Sequence, residues 1–249
     1  MLSVQADFRT RVTEVTRYFL FLEEFDARRV SFLAPSGGSQ PAVSPAEKRA
    51  LFKTLKANLF LLLYNLVEST VKNAIEAIFD EFKSHGVSFD DCRDEVRKIV
   101  LGNLKKRNVG KILPRLSTMS VDVVVATFIK DELFSGNVDG RRIREVATEY
   151  GFLTPKKKSD LLLTVKTHRN DLAHGNKSFA DVGRDFDIVR LKEIQAEVLV
   201  FLEELLKNVA NYLVTRSYLA PKRSKPVAGK RATKPRATPT RQPRGKRSA

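Results

Sequence analysis

The sequence predicts an all-α protein, an antiparallel helical bundle with the second, the motif-bearing and the last long helices at its centre. Three observations carry this. Stretches 5–32 and 46–85 contain neither Gly nor Pro. Apolar residues recur at steps of three and four in the first stretch and again near the end of the chain, which is the helical period. Helix-start chemistry stands where a helix is needed, as in Ser44-Pro45-Ala46-Glu47. There Ser caps, Pro fits the first turn and Glu completes a capping box.

The first helix is expected over Gln5–Phe32, with Phe8, Val12, Val15, Phe19, Leu22 and Phe25 on one stripe. A stripe of this kind is usually core. Ala34–Val43, with two Pro and two Gly, reads as a loop. After Ser44 no breaker appears before Gly86, so the second helix approaches forty residues. It is apolar nearly all round between Leu59 and Val71, the mark of a central helix. Asn65 and Glu68 interrupt that run on one face. They are either a polar strip shared with Lys72 and Glu76, or Glu68 turns toward a site elsewhere, where a buried carboxylate needs a cationic partner.

Ser88 or Asp90 is placed to cap a helix running to about Arg107, and Asn108–Ser120, with Gly110 and Pro114, reads as a break. Val121–Phe134 is rich in β-branched residues, yet no other segment offers a partner strand, so it is expected to be helical. Asp139–Tyr150 is a short helix closed by Gly151. Asn176–Asp187 is expected to be a loop, and Asp187 to cap the last helix. Leu191, Ile194, Val198, Leu202, Leu205, Val209 and Tyr212 form a seam close to a heptad repeat. That seam suits bundle packing and a dimer contact equally.

The stretch that organises the chain is Arg169-Asn170-Asp171-Leu172-Ala173-His174-Gly175. It follows the apolar run Leu161–Val165, and its glycine is a helix stop. An arginine is a permanent cation with a fork of donors. A histidine titrates near pH ~6.5 and moves protons. Asn170 both donates and accepts. Asn170 and His174, four apart, lie about 40° from one another on a helix, whereas Arg169 and His174 lie about 140° apart. The latter two converge only if the helix unwinds at His174.

This Arg-x4-His pattern resembles the HEPN family, all-helical domains in which such motifs mark metal-independent ribonucleases. The continuation Gly175-Asn176-Lys177-Ser178-Phe179 with Gly183-Arg184 is similar to one stand-alone prokaryotic branch. So are Tyr64–Thr70, Ser135–Asp139 and Tyr150-Gly151-Phe152, giving a resemblance over roughly 51–219. It implies an endoribonuclease in which the ribose 2′-OH attacks the adjacent phosphorus. His174 would carry protons, Arg169 would stabilise phosphoryl charge, and Asn170 would hold the phosphate or the imidazole. Glu68, Asn65 and Asp171 would support them. Lys156, Lys157, Lys158, Lys177 and Arg184 are candidate RNA contacts, although a lysine triplet is usually just a solvated turn. The resemblance also implies a homodimer with two facing motifs and a toxin or antiviral role with a cognate antitoxin or defence partner. Two alternatives stand beside it: a HEPN module without catalysis, acting as a binding or antitoxin-like subunit, and a nucleic-acid binder working through its tail.

Composition bounds the rest. One Cys and three His leave no metal-ligand spacing, so neither metal nor other cofactor is expected. A single cysteine points to a reducing, cytoplasmic setting. The longest apolar run, Leu59–Tyr64, is short of the ~20 residues a membrane span needs, so no membrane partner is expected; no signal peptide is visible at the start. Eleven of the 45 Lys and Arg lie in residues 221–249, with five Pro and no acid, leaving 34 basic against 29 acidic residues before them. The expected division is therefore an N-terminal helix and loop over 1–44 packing on a HEPN-like domain over 45–220, followed by a disordered basic tail over 221–249. That tail is either a nucleic-acid contact or a solubility appendage. Deleting 221–249 is expected to leave cooperative unfolding unchanged while weakening RNA binding and lowering its salt dependence. Urea unfolding and salt-dependent binding curves check this, and loss of cooperative unfolding rules it out.

Overall fold

Ser44 sets the frame of the molecule. The computed structural model describes residues 1–30, 43–105, 124–125, 127–130, 133–134 and 137–221. In it the Ser44 side chain accepts from the Glu47 N–H, and the Glu47 carboxylate accepts from the Ser44 N–H (3.2 and 2.8 Å). With Pro45 in its first turn, this capping box starts α2 (Pro45–Ser84), 40 residues long. Around it come α1 (Leu2–Asp26), α3 (Asp94–Lys105), α4 (Gly140–Tyr150), α5 (Asp160–Ala173), α6 (Phe179–Arg184) and α7 (Ile188–Val214). The described residues thus form seven α-helices in an all-α bundle, with a single isolated bridge between Cys92 and Leu219 and no strand.

The core is the surface of α2. Leu59, Phe60, Leu63, Leu66, Ile75, Ile78 and Phe82 are all but inaccessible, and α1, α5, α6 and α7 cover them. One window of α2 is long and apolar enough, by length and composition, to cross a bilayer; here its apolar sides are occupied by those neighbours. α1 runs antiparallel to α2. Asp7 accepts from the Asn73 amide at one end (2.9 Å), and the Tyr18 hydroxyl donates to the Leu55 carbonyl nearer the other (2.7 Å). The seam of α7 is buried within this chain from Leu191 to Tyr212, so it serves bundle packing and is not free for a dimer contact.

Four expectations are corrected. α1 stops at Asp26 rather than Phe32. Arg28 takes a left-handed backbone (φ 60°), and the Arg28 and Arg29 N–H groups turn back to Phe25 and Glu24. That stop used no Gly or Pro and left no mark in the sequence. Ser88 caps only a 3₁₀ turn, Phe89–Asp91, and α3 begins at Asp94. The intervening backbone is taken by residues 218–220: Arg93 N–H donates to the Tyr218 carbonyl and Ala220 N–H to the Asp91 carbonyl (2.9 and 2.8 Å). The loop expected after the motif contains α6, whose first turn Ser178 caps through the Asp181 N–H. Finally, α5 is not central, since only Leu162, Val165 and Leu172 of it are buried. Leu163, within its apolar run, is 53% exposed.

Of Val121–Phe134, expected to be helical, Val124 and Val125 are in a helix and Lys130 in a 3₁₀ turn, but 127–129 and 133–134 are not helical. Residues 121–123, 126 and 131–132 lie outside the described residues, as do nearly all of the Pro/Gly-rich loop, the break at 108–120 and nearly all of the basic tail.

Gly183 explains one sequence feature outright. A Cβ there would stand 1.8 Å from the Lys53 carbonyl oxygen, so α6 touches α2 backbone to backbone. Gly183→Ala must push the two helices apart and is expected to cost about 2–3 kcal/mol. A urea midpoint equal to wild type would show that α6 is not docked as described.

Candidate functional site

The motif occupies the C-terminal turns of α5. His174 caps the helix, Gly175 is left-handed (φ 70°), and Asn176 N–H reaches the Asp171 carbonyl (2.8 Å) while Gly175 N–H reaches Leu172 (3.4 Å). This is a Schellman stop. It fixes the backbone under His174 and leaves the imidazole at the surface; among the described residues no side chain holds the ring.

Arg169 turns the other way. Its guanidinium carbon stands 4.4 Å from the centre of the Tyr64 ring, and Nη1 donates to the Asn170 amide oxygen (3.0 Å). A cation over an aromatic face contributes about 0.5–2 kcal/mol, depending on desolvation. Tyr64 is 3% exposed, and its hydroxyl accepts from the Val138 N–H (3.2 Å). Burial pushes that hydroxyl above its ordinary pKa. The Asn170 amide nitrogen donates to the Asn137 side chain (3.4 Å). Asp139, next along, accepts from the Arg142 N–H to cap α4 (2.8 Å) and pairs with Lys166 of α5. Residues 137–139 thus touch Asn170, Tyr64 and Lys166 in turn. Burial raises the Asp139 carboxyl, but the bond and charge of Lys166 and the Arg142 N–H outweigh it and hold the pKa below the ordinary value.

The structure therefore brings Arg169 and Asn170 together and sets His174 on the Asn170 side of the helix, with no bond between Arg169 and His174. The unwinding does not close their angular gap. His174 N–H still bonds to Asn170 O (3.0 Å), so the chain keeps its helical course up to that residue.

The other candidates fall as follows. Glu68 pairs with Lys72 (2.8 Å) and Glu76 with Lys130 (2.6 Å). Glu68 orients neither Arg169 nor His174, and Asn65 beside it is exposed. Asp171 pairs with Lys177 (3.4 Å) and closes the turn through its carbonyl. Arg184 lies against Asp181 and Asp185 (3.4 and 3.8 Å). Lys156, Lys157 and Lys158 precede α5 and so stand at its far end, about 20 Å from His174 at 1.5 Å per residue. His168 points inward between Phe60 and Phe186, 5.0 Å from each ring, its Nδ1 buried without a partner. Burial, with Lys177, lowers its pKa. A groove of about 500 Å³ between α3 and α4 holds none of these residues.

Sequence reasoning named none of Tyr64, Asn137, Asp139 and Lys166 as site residues. Lys166 carried a signal, lying three and four residues before Arg169 and Asn170 and so on their face. Tyr64, and Asn137 with Asp139, stood in the Tyr64–Thr70 and Ser135–Asp139 segments that carried the family resemblance, without a role being assigned to them.

Asp139→Asn keeps the cap and removes the charge. The depressed carboxyl stabilises the fold above pH ~4 and loses that effect as pH falls below it. The variant is expected to be roughly 1–2 kcal/mol less stable at pH 7, with a smaller gap at pH 3. Equal gaps at both pH values in urea titrations would mean that the Lys166 pair contributes nothing.

No curated protein and no solved structure matches the chain. The model of the HEPN_MAE_28990-like HEPN family matches residues 3–218, from α1 through α7. Those residues hold the Tyr64 and Asn137–Asp139 segments together with the Arg169–His174 motif, and the chain belongs to that HEPN family.

Proposed function

We propose that this chain is a metal-independent endoribonuclease that cleaves RNA by attack of the ribose 2′-OH on the adjacent phosphorus. The observation that carries the reading is the division of labour on the last turns of α5. Arg169 is anchored on Tyr64 with donors to spare, and His174 stands exposed and, among the described residues, unpartnered beyond Asn170. An anchored cation suits the charge that develops on phosphoryl oxygens. A free imidazole suits proton transfer to and from ribose and leaving oxygens. Asn170, bonded to Arg169 and facing His174, is placed to hold a phosphate between them.

One protomer supplies one such imidazole, and it stands apart from Arg169. A homodimer whose two-fold axis passes the end of α5 sets a second His174 opposite the first, giving one proton carrier for attack and one for departure. With the α7 seam buried, Val189, 68% exposed at the matching end of α7, is an apolar residue left for that contact. A toxin or antiviral role in the cytoplasm, restrained by a cognate partner, belongs to the same proposal.

A second reading has its own support. Arg169 engages Tyr64 and Asn170 rather than His174, as suits a HEPN module that binds a partner without cutting RNA.

The full chain is expected to cleave RNA in EDTA and to leave 2′,3′-cyclic phosphate ends. His174→Ala is expected to lower kcat by about 10²–10⁴-fold with RNA binding kept. Mixing wild type with excess His174→Ala chains under subunit exchange is expected to lower activity per wild-type chain. Strict Mg²⁺ dependence or 5′-phosphate ends would end the cleavage mechanism. Unchanged activity per wild-type chain in demonstrated heterodimers would end the composite site.

A further inference from the structure

Lys156–Lys158 are set apart from the motif, yet their loop is held more tightly than a solvated turn requires. The Glu204 carboxylate of α7 accepts from the consecutive N–H groups of Lys156 and Lys157 (3.0 and 2.8 Å). Arg144 of α4, packed over the Phe201 ring, donates to the carbonyls of Pro155 and Lys157 and to the Ser159 hydroxyl. Asn208 donates to the Leu153 carbonyl (3.0 Å). Two helices thus satisfy the main chain of the loop with side chains that an ordinary turn would replace by water. The three lysine side chains take no part in this. All three are exposed, and among the described residues none is in an ion pair. Glu204 accepts from the loop's backbone; burial raises its pKa, but the N–H bonds and the charges of Lys157 and Lys156 outweigh it and hold it below the ordinary value.

We propose that this loop is a second RNA-phosphate site, pre-ordered by Arg144 and Glu204, which makes the motif act on strands long enough to reach both ends of α5. The inference rests on the RNA reading above. A pre-ordered loop loses little freedom on binding, and three adjacent ammoniums each displace a condensed counterion from a polyanion. The separation of about 20 Å along α5 corresponds to about six nucleotides of a base-stacked strand at ~3.4 Å each. A strand of three or four nucleotides at the motif does not reach the loop. The partner is therefore single-stranded RNA of roughly six or more nucleotides, recognised through its backbone without regard to sequence.

The test is binding of labelled 4-mer and 12-mer RNA to the full chain carrying His174→Ala, so that cleavage does not interfere. Adding K156A/K157A/K158A is expected to weaken 12-mer binding roughly tenfold or more at low salt. It should also reduce the slope of log affinity against log salt by about 2, since each single-strand phosphate contact contributes ~0.7. The 4-mer is expected to bind as before. K156R/K157R/K158R should retain 12-mer binding, and Glu204→Gln, which keeps the lysines but loosens the loop, should lose part of it. Unchanged 12-mer binding, or an equal loss for both lengths, overturns the proposal. Failure of the wild type to cut any RNA would instead overturn the ribonuclease reading and leave this result standing.

Discussion

A helix that is apolar on nearly every side has to be covered on every side, and the architecture follows from that. α2 presents Leu59, Phe60, Leu63, Leu66 and Val67, all but inaccessible, on an arc of about 120° within two and a half turns, with Leu61 and Leu62 half-buried on the other side. Leaving even one such side chain in water costs about 1.5–3 kcal/mol. α1 and α7 supply long apolar stripes against it, α5 a narrow one. α6 comes so close that only a glycine fits at the contact. The short helices and the turn at residues 89–91 are located by what remains to be covered once the long ones are in place.

The candidate site lies where that covering runs out. Tyr64 is the last of the buried ring-bearing residues before α2 turns polar at Asn65 and Glu68. Its ring therefore has one face free for Arg169 and its hydroxyl free for the Val138 N–H. The tripeptide 137–139 bridges α2 and α4 through one contact each and α5 through two. The cation, the amide and the start of α4 consequently share a single scaffold, and a disturbance at Asp139 reaches Arg169 without touching it.

Much of this was legible from residue types alone. The Ser44 box, the Asp187 cap, the Gly151 and Gly175 stops and the α7 seam each rest on local chemistry that acts wherever those residues occur. The motif was legible through spacing and family resemblance together. What escaped is long-range. Nothing local says that residues 218–220 will occupy the backbone of 91–93 and split a helix there. Nor does it say that Arg28 will accept a left-handed backbone, or that Glu68 will prefer Lys72 to a more distant arginine. The α5 run Leu161-Leu162-Leu163 suggested burial all round, but only one helix face packs. Composition overstates burial when a helix lies at the surface.

The Schellman stop separates two properties of His174 that usually go together. Its backbone is pinned by hydrogen bonds around Gly175, while its side chain is exposed and, among the described residues, has no partner. With no neighbour among the described residues dictating which nitrogen carries the hydrogen, either tautomer is open to the ring, and the choice falls to whatever docks. The rotational freedom that most active-site histidines surrender on folding is retained here until a ligand arrives. Affinity is correspondingly lower, and an identical side chain can meet a hydroxyl on one occasion and an oxyanion on the next.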